Sequence, residues 1–177
     1  MGFSNKLVIT AKKPGKRTRQ ICMHIRRMLE PNVTAKLRDR NTTVKSYLDV
    51  ADALELSHFV LVDARDIKIG TRPKGPTYVF NVVDYNPKYV KVGNEYYEED
   101  PCITFTGESE LKELFLSLSS RPKTFKRNLH FYFDGDLIHV RHYAILTKEE
   151  EDIKVGFHEI GPRITMRLVK KMDGFFS

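Results

Sequence analysis

His139 and His142 stand three residues apart in a stretch that reads as a strand, Leu137–Ile145, and paired histidines can ligate a metal. Side chains alternate along a strand, so an odd separation sends the two rings to opposite faces and denies them a shared ion. Asp134-Gly135-Asp136 begins like a calcium loop, but the spaced oxygen ligands that should follow are absent. Asp-Gly between two alternating apolar runs is instead a hairpin turn. There is no Gly-rich phosphate loop ending in Lys-Ser/Thr and no Gly-x-Ser-x-Gly elbow. Neither Cys22 nor Cys102 has a neighbouring histidine that would make it a nucleophile. The residues point to no enzyme, no metal and no cofactor.

Cations offer a different chemistry. The chain carries a formal charge of +7, distributed unevenly. Residues 1–93 hold 18 Lys+Arg against 8 Asp+Glu, residues 94–177 hold 12 against 15, and residues 1–40 alone hold 11 against 2. A field this dense at one end attracts polyanions. Lys12, Lys13, Lys16, Arg17, Arg19, Arg26 and Arg27 lie on or beside one predicted helix, and Lys36, Arg38, Arg40 and Lys45 extend the stripe if the next turn folds alongside. Arg offers phosphate a bidentate fork and Lys a point charge; such contacts set affinity but read no base sequence. Three readings compete with nucleic acid: a solubilising face, a basic helix lying on an acidic membrane, and a protein-interaction scaffold whose basic face meets an acidic partner.

The elements that must position these groups follow from periodicity. Lys6–Thr10 reads as a strand, and Lys12-Lys13-Pro14-Gly15 as a basic turn. A helix runs from about Lys16 to Leu29, with Ile21, Ile25, Met28 and Leu29 on one side and Lys16, Arg19, Arg26 and Arg27 on the other. Glu30-Pro31 ends it. A short strand over Asn32–Leu37 and a second helix, about Val44–Leu54 with Val44, Tyr47, Leu48, Ala51 and Leu54 inward, come next. Strands at His58–Val62 and Ile67–Ile69 follow. The connection Asn86–Asp100 leads to a strand at Pro101–Phe105 and a helix of about Glu108–Leu118. Then come a hairpin, Leu129–Phe133 with Leu137–Ile145, and an acidic turn at Glu149–Asp152. Phe175 and Phe176 are either a frayed apolar tail or a docking point.

One pattern occurs twice. Gly75-Pro76 opens Thr77–Val83, and Gly161-Pro162 opens Arg163–Val169; Tyr78, Phe80 and Val82 match Ile164, Met166 and Leu168 as inward residues, with Arg163 and Arg167 outward. Lys6–Thr10 and Pro101–Phe105 match in the same way as strands leading into helices. The expected fold class is α/β, built as two similar α/β lobes by internal duplication: a basic lobe at 1–86, a connection at 87–100 and a second lobe at 101–177. No apolar run approaches the ~20 residues of a membrane span, and the two cysteines suit reduced, buried thiols.

Four segments together resemble the Brix-domain family of ribosome-assembly factors, most closely its Peter Pan (Ssf) branch. They are Ile25–Pro31 with Thr34–Leu37, Arg72–Thr77, Val140–Ile145 and Glu159–Thr165. The resemblance implies two α/β lobes forming a single Brix domain over residues 1–177, related to the class II tRNA synthetase anticodon-binding domain. It also implies a nucleolar factor that binds precursor ribosomal RNA during large-subunit assembly, paired with a second assembly protein as a heterodimer, with no membrane and no small-molecule substrate. Sister Brix proteins of the small subunit stay open. Carried over, Arg26, Arg27, Arg72, Lys74 and Arg163 are expected at RNA or partner contacts, or as braces of the Gly-Pro turns; Arg167 is added as an outward cation. The chain departs from the family pattern where Asp39 interrupts a basic turn, and where a long charged insertion shrinks to a short acidic segment.

Overall fold

A computed structural model describes residues 5–34, 47, 49 and 51–176. Its elements, in chain order, are β1 (Asn5–Thr10), α1 (Lys16–Leu29), β2 (Val33–Thr34), β3 (Leu56–Asp63), β4 (Asp66–Thr71) and β5 (Thr77–Asn86). A single 3-10 turn at Asn94–Tyr97 precedes β6 (Cys102–Thr106), α2 (Lys112–Ser117), β7 (Arg127–Asp134), β8 (Leu137–Glu149), β9 (Ile153–Glu159) and β10 (Arg163–Met172).

Among the described residues the strands form one sheet, ordered β2-β1-β3-β4-β5-β10-β8-β7-β6, with β9 beside β8. The expected duplication is visible in the pairing. β1 is parallel both to β2, which follows α1, and to β3, and β6 and β7 are parallel across α2. Each pair continues through two antiparallel neighbours, β4 and β5 in the first half and β8 and β10 in the second. The two Gly-Pro strands, β5 and β10, pair antiparallel and join the halves into one sheet. Gly75 (φ 97) and Gly161 (φ 81) both take left-handed backbone. A Cβ on Gly75 would strike the Gly174 backbone, and one on Gly161 would strike the Lys88 carbonyl, so a side chain is excluded at each turn.

α1 and α2 cover the same face of the sheet. Ile21, Ile25 and Met28 of α1 share a core with Leu114 and Phe115 of α2, and with Val60, Phe80, Phe131 and Met166 from the strands. Phe115 stacks on Phe131 with centroids 4.1 Å apart. On the other face, Leu7, Tyr47, Ala51, Leu56 and Phe59 form a smaller cluster closed by Phe175 and Phe176. The terminal phenylalanines are thus docked on the protein's own first half.

Several expectations need correction. α1 has the predicted bounds, but the second-half helix is confined to Lys112–Ser117. The acidic turn is the tip of a longer hairpin: β8 extends to Glu149, and Ile153–Glu159 returns beside it as the further strand β9. Leu168 is exposed, because bulges at Thr165/Met166 and Leu168/Lys170 break the two-residue period of β10. Tyr78 is only half-buried, and its neighbour Val79 is buried instead. Both cysteines are free, but Cys102 is only half-buried. Val44, Leu48 and residues 35–37 of the predicted second helix and second strand lie outside the described residues.

The halves are also tied by buried polar groups. Arg127, at the start of β7, is 1% exposed. Its Nε donates to Tyr96 O (2.7 Å), and Nη1 donates to Met28 O (3.1 Å), Arg27 O (3.4 Å) and His142 Nε2 (3.0 Å). Nη2 donates to Glu99 O (3.1 Å) and Glu30 O. This guanidinium caps the C-terminus of α1, whose last carbonyls have no partners within the helix. Burial lowers the Arg127 pKa to about 10, which leaves it charged at neutral pH. Burial and the neighbouring Arg127 push His142 down to about 3, so the ring is neutral and its Nε2 accepts. Lys6, wholly buried in β1, meets Asp100 at 3.8 Å; burial brings it to about 8 against the pull of that carboxylate. His58, held between Ser57 Oγ and Ser117 Oγ, is lowered to about 4 by burial and by Lys6.

His58 and His142, the two with the largest shifts among the buried histidines, are neutral in the fold and take up protons more readily when unfolded. Their contribution is complete above the unfolded pKa near 6.5 and is lost as pH falls toward 3–4, at roughly 1.4 kcal/mol per pH unit for each ring. Urea midpoints should therefore drop steeply between pH 7 and pH 5, and His58→Gln should flatten that slope by about half. Arg127→Met should cost about 3 kcal/mol or more, by leaving helix-end carbonyls buried without donors, and Arg127→Lys should not restore it, because an ammonium cannot span the same fork.

Candidate nucleic-acid interface

α1 begins after a sharp loop in which Lys13 adopts φ 52, and Gly15 precedes the first helical residue in extended backbone. No acidic residue occupies the first turn, so nothing offsets the positive end of the helix dipole. Lys12, Lys13, Lys16, Arg17 and Arg19 are all exposed there. None of them forms a salt bridge with a carboxylate among the described residues. Five cations thus surround the free amide groups of a helix N-terminus, an arrangement suited to phosphate oxygens.

Neighbouring elements add to this end. Thr18 Oγ donates to Ala64 O (3.5 Å), which brings the β3–β4 turn and exposed Arg65 alongside. The Arg17 guanidinium sits 5.9 Å above the Tyr85 ring, and the Tyr85 hydroxyl and His24 Nδ1 are 2.6 Å apart. Burial raises Tyr85 to about 12 and lowers His24, so both are neutral. Tyr89 from the connection packs on His24 at 5.5 Å and is partly exposed. Sequence reasoning missed Arg65, Tyr85 and Tyr89. Arg65 joins the helix through Ala64, 46 residues from its partner Thr18, and the positive φ of Ala64 that aims the turn is not a property of its residue type.

The remaining sequence-predicted cations are elsewhere or engaged. Arg26 is half-buried and its Nε donates to Val8 O (2.8 Å), tying α1 to β1. Arg27 meets Glu30 at 3.3 Å and lies 5.0 Å over the Tyr97 ring, beside the Arg127 cap. Arg72 donates to Leu56 O (3.1 Å) and to Asp52 Oδ1 (2.6 Å), a brace of its loop. Lys74 is exposed, but the β4–β5 turn lies at the opposite end of the sheet from the α1 N-terminus. Arg163 and Arg167 point from the sheet face that α1 does not cover. The first is held by Glu159 (2.6 and 2.8 Å) and the second by Asp136 (2.7 Å). Lys36, Arg38, Arg40 and Lys45 lie outside the described residues.

Duplication sharpens the contrast between the halves. The loop and helix start that carry Lys12, Lys13, Lys16, Arg17 and Arg19 in the first half carry Glu108, Glu110 and Glu113 in the second. One framework is used twice with opposite charge. Among the described residues, no group of three or more His, Cys, Asp or Glu side chains could hold a metal ion. No helix there is long and apolar enough to cross a membrane.

Comparison with known proteins finds that the family described as "Brix domain" matches residues 11–170. The chain is 29% identical over 86 residues to the Suppressor of SWI4 1 homolog of Mus musculus; the aligned stretch covers 46% of this chain and 18% of that protein. Its fold is similar to that of a probable ribosomal biogenesis protein from Aeropyrum pernix K1, with a TM-score of 0.63 and 14% identity over 97% of this chain and 99% of the other.

The two groups of arginines on α1 should separate experimentally. Arg26→Ala should lower unfolding stability by about 1.5–3 kcal/mol, because it releases a carbonyl held by a charged donor. Arg19→Ala should stay within about 0.5 kcal/mol of the parent. Chemical denaturation of both variants reads this directly.

Proposed function

This chain belongs to the Brix-domain family, and from that membership we propose a non-catalytic ribosome-biogenesis factor that binds precursor ribosomal RNA during large-subunit assembly in the nucleolus. The observation that carries the RNA reading is the unpaired cluster of Lys12, Lys13, Lys16, Arg17 and Arg19 around the α1 N-terminus. Those cations clamp phosphates, and Tyr85 and Tyr89 beside them offer rings to an unstacked base. The clamp holds a strand through its phosphates, contacts that set affinity and position without reading base sequence. Likeness to the Suppressor of SWI4 1 homolog supports the Peter Pan branch, and with it a second assembly protein as heterodimer partner.

A competing reading has the basic end gripping an acidic protein. It is favoured by the opposite charges on the two halves, which would let like molecules or partners associate through complementary ends. Association that survives nuclease digestion would support it over RNA binding.

The RNA clamp has a quantitative signature. With about five phosphate contacts on a single strand, log K should fall against log salt with a slope near −3.5. Replacing Lys13, Lys16 and Arg17 by Glu should remove roughly three contacts and reduce the slope to about −1.4, with unfolding midpoints unchanged. Fluorescence anisotropy on labelled poly(U) measures both, and an unaltered slope would reject the clamp.

A further inference from the structure

β9 is the least covered strand in the molecule. The first part of β8 pairs with β10 over residues 137–140, whereas residues 143–149 pair with β9, so a two-stranded arm extends past the main sheet. Among the described residues β9 has β8 as its one neighbour, and its outer edge is unpaired. Strand alternation puts Ile153, Val155 and Phe157 on one face, at 72%, 55% and 61% exposure. Ile145 lies opposite Phe157 on that face, and the Tyr143 ring meets Phe157 edge-on at 6.0 Å. Among the described residues no helix lies over this stripe, whereas α1 and α2 cover the core strands.

The charge around the stripe identifies its occupant. Glu150 is already paired with Lys148 (2.8 Å) and Lys154 (3.4 Å). Glu149, Glu151 and Asp152 at the tip are exposed and form no ion pair among the described residues. The free charge on the arm is therefore negative, on a chain whose net charge is +7. Phosphate is repelled by such a tip, and an apolar strand flanked by cations is attracted. Natural edge strands are normally protected by bulges or charged side chains along the strand, and a row of exposed apolar residues on a free edge is a template for strand addition.

We propose that β9 is a docking edge for another protein, which adds an extended segment alternating apolar residues with Lys or Arg. Backbone hydrogen bonds along β9 would give affinity, the Ile153-Val155-Phe157 stripe would take the apolar side chains, and Glu149, Glu151 and Asp152 would take the cations. The inference extends the partner reading above to a surface, and it fails separately from the RNA clamp because the arm and the α1 N-terminus share no residue.

The probe is a short synthetic peptide alternating lysine with valine, with a control in which glutamate replaces every lysine. Amide hydrogen exchange of the full chain should show protection of 153–159 by the lysine peptide. Affinity should fall at least about tenfold in the Val155→Lys, Phe157→Lys double variant. Poly(U) binding and the unfolding midpoint of that variant should match the parent, because both side chains are exposed. Equal binding of the glutamate control, protection mapping to other strands, or an unaffected double variant would each overturn the proposal. So would sedimentation showing a homodimer that the double variant dissolves, since a second copy would then occupy the edge.

Discussion

A charged guanidinium with almost no contact with water, that of Arg127, is the constraint on which the two halves depend. It enters from β7 in the second half, reaches the last carbonyls of α1 in the first half, and takes Tyr96 O and Glu99 O from the connection between them. Taking an ion from water is costly, and the cost is offset here because nearly every donor finds a carbonyl or the neutral His142 ring. Lys6 and Asp100 repeat the device one step away, with Asp100 also accepting from Asn32 Nδ2 (2.9 Å) and Ser120 N (2.7 Å). An apolar interface of the same area would hold the halves together but tolerate sliding. Directional bonds to a helix end set one relative position.

That position has a consequence for the surface. With the α1 C-terminus locked against the second half, its N-terminus is directed away from the core, toward the β3–β4 turn and the connection's tyrosines. Arg26 and Arg27, at the locked end, are absorbed into contacts with Val8, Glu30 and Tyr97. Lys12, Lys13, Lys16, Arg17 and Arg19, at the free end, keep their charge for something outside the chain. One helix thereby divides its cations between holding the fold and presenting a field.

Duplication supplied two equivalent loop–helix starts, and they have diverged. The first is basic, the second acidic, and the second half adds the β8–β9 arm that the first lacks. A chain with the same sheet order in both halves can in this way offer chemically different surfaces without changing its core. The polarity is electrostatic and local, since buried residues of both halves share the larger of the two core clusters.

Much was legible in the residues themselves. The bounds of α1, the β7–β8 hairpin around Asp134-Gly135, the matched Gly-Pro strands and the lopsided charge are all properties of local pattern, and local pattern is what a linear chain displays. What the sequence could not determine depends on neighbours distant along the chain. Nothing local marks Arg127, because its carbonyl partners lie up to 100 residues away. Arg26, Arg72 and Arg163 carried the same formal charge as Lys16 and Arg17, and only packing revealed which of them already had acceptors. β9 has its own local alternation at Ile153, Val155 and Phe157, but it follows the acidic run of residues 149–152, which reads as a turn. Sequence by itself determined most of the elements, the repeat and the sign of the field. Tertiary structure alone decided which cations remain free, because pairing is a matter of distance in space, and folding sets that distance.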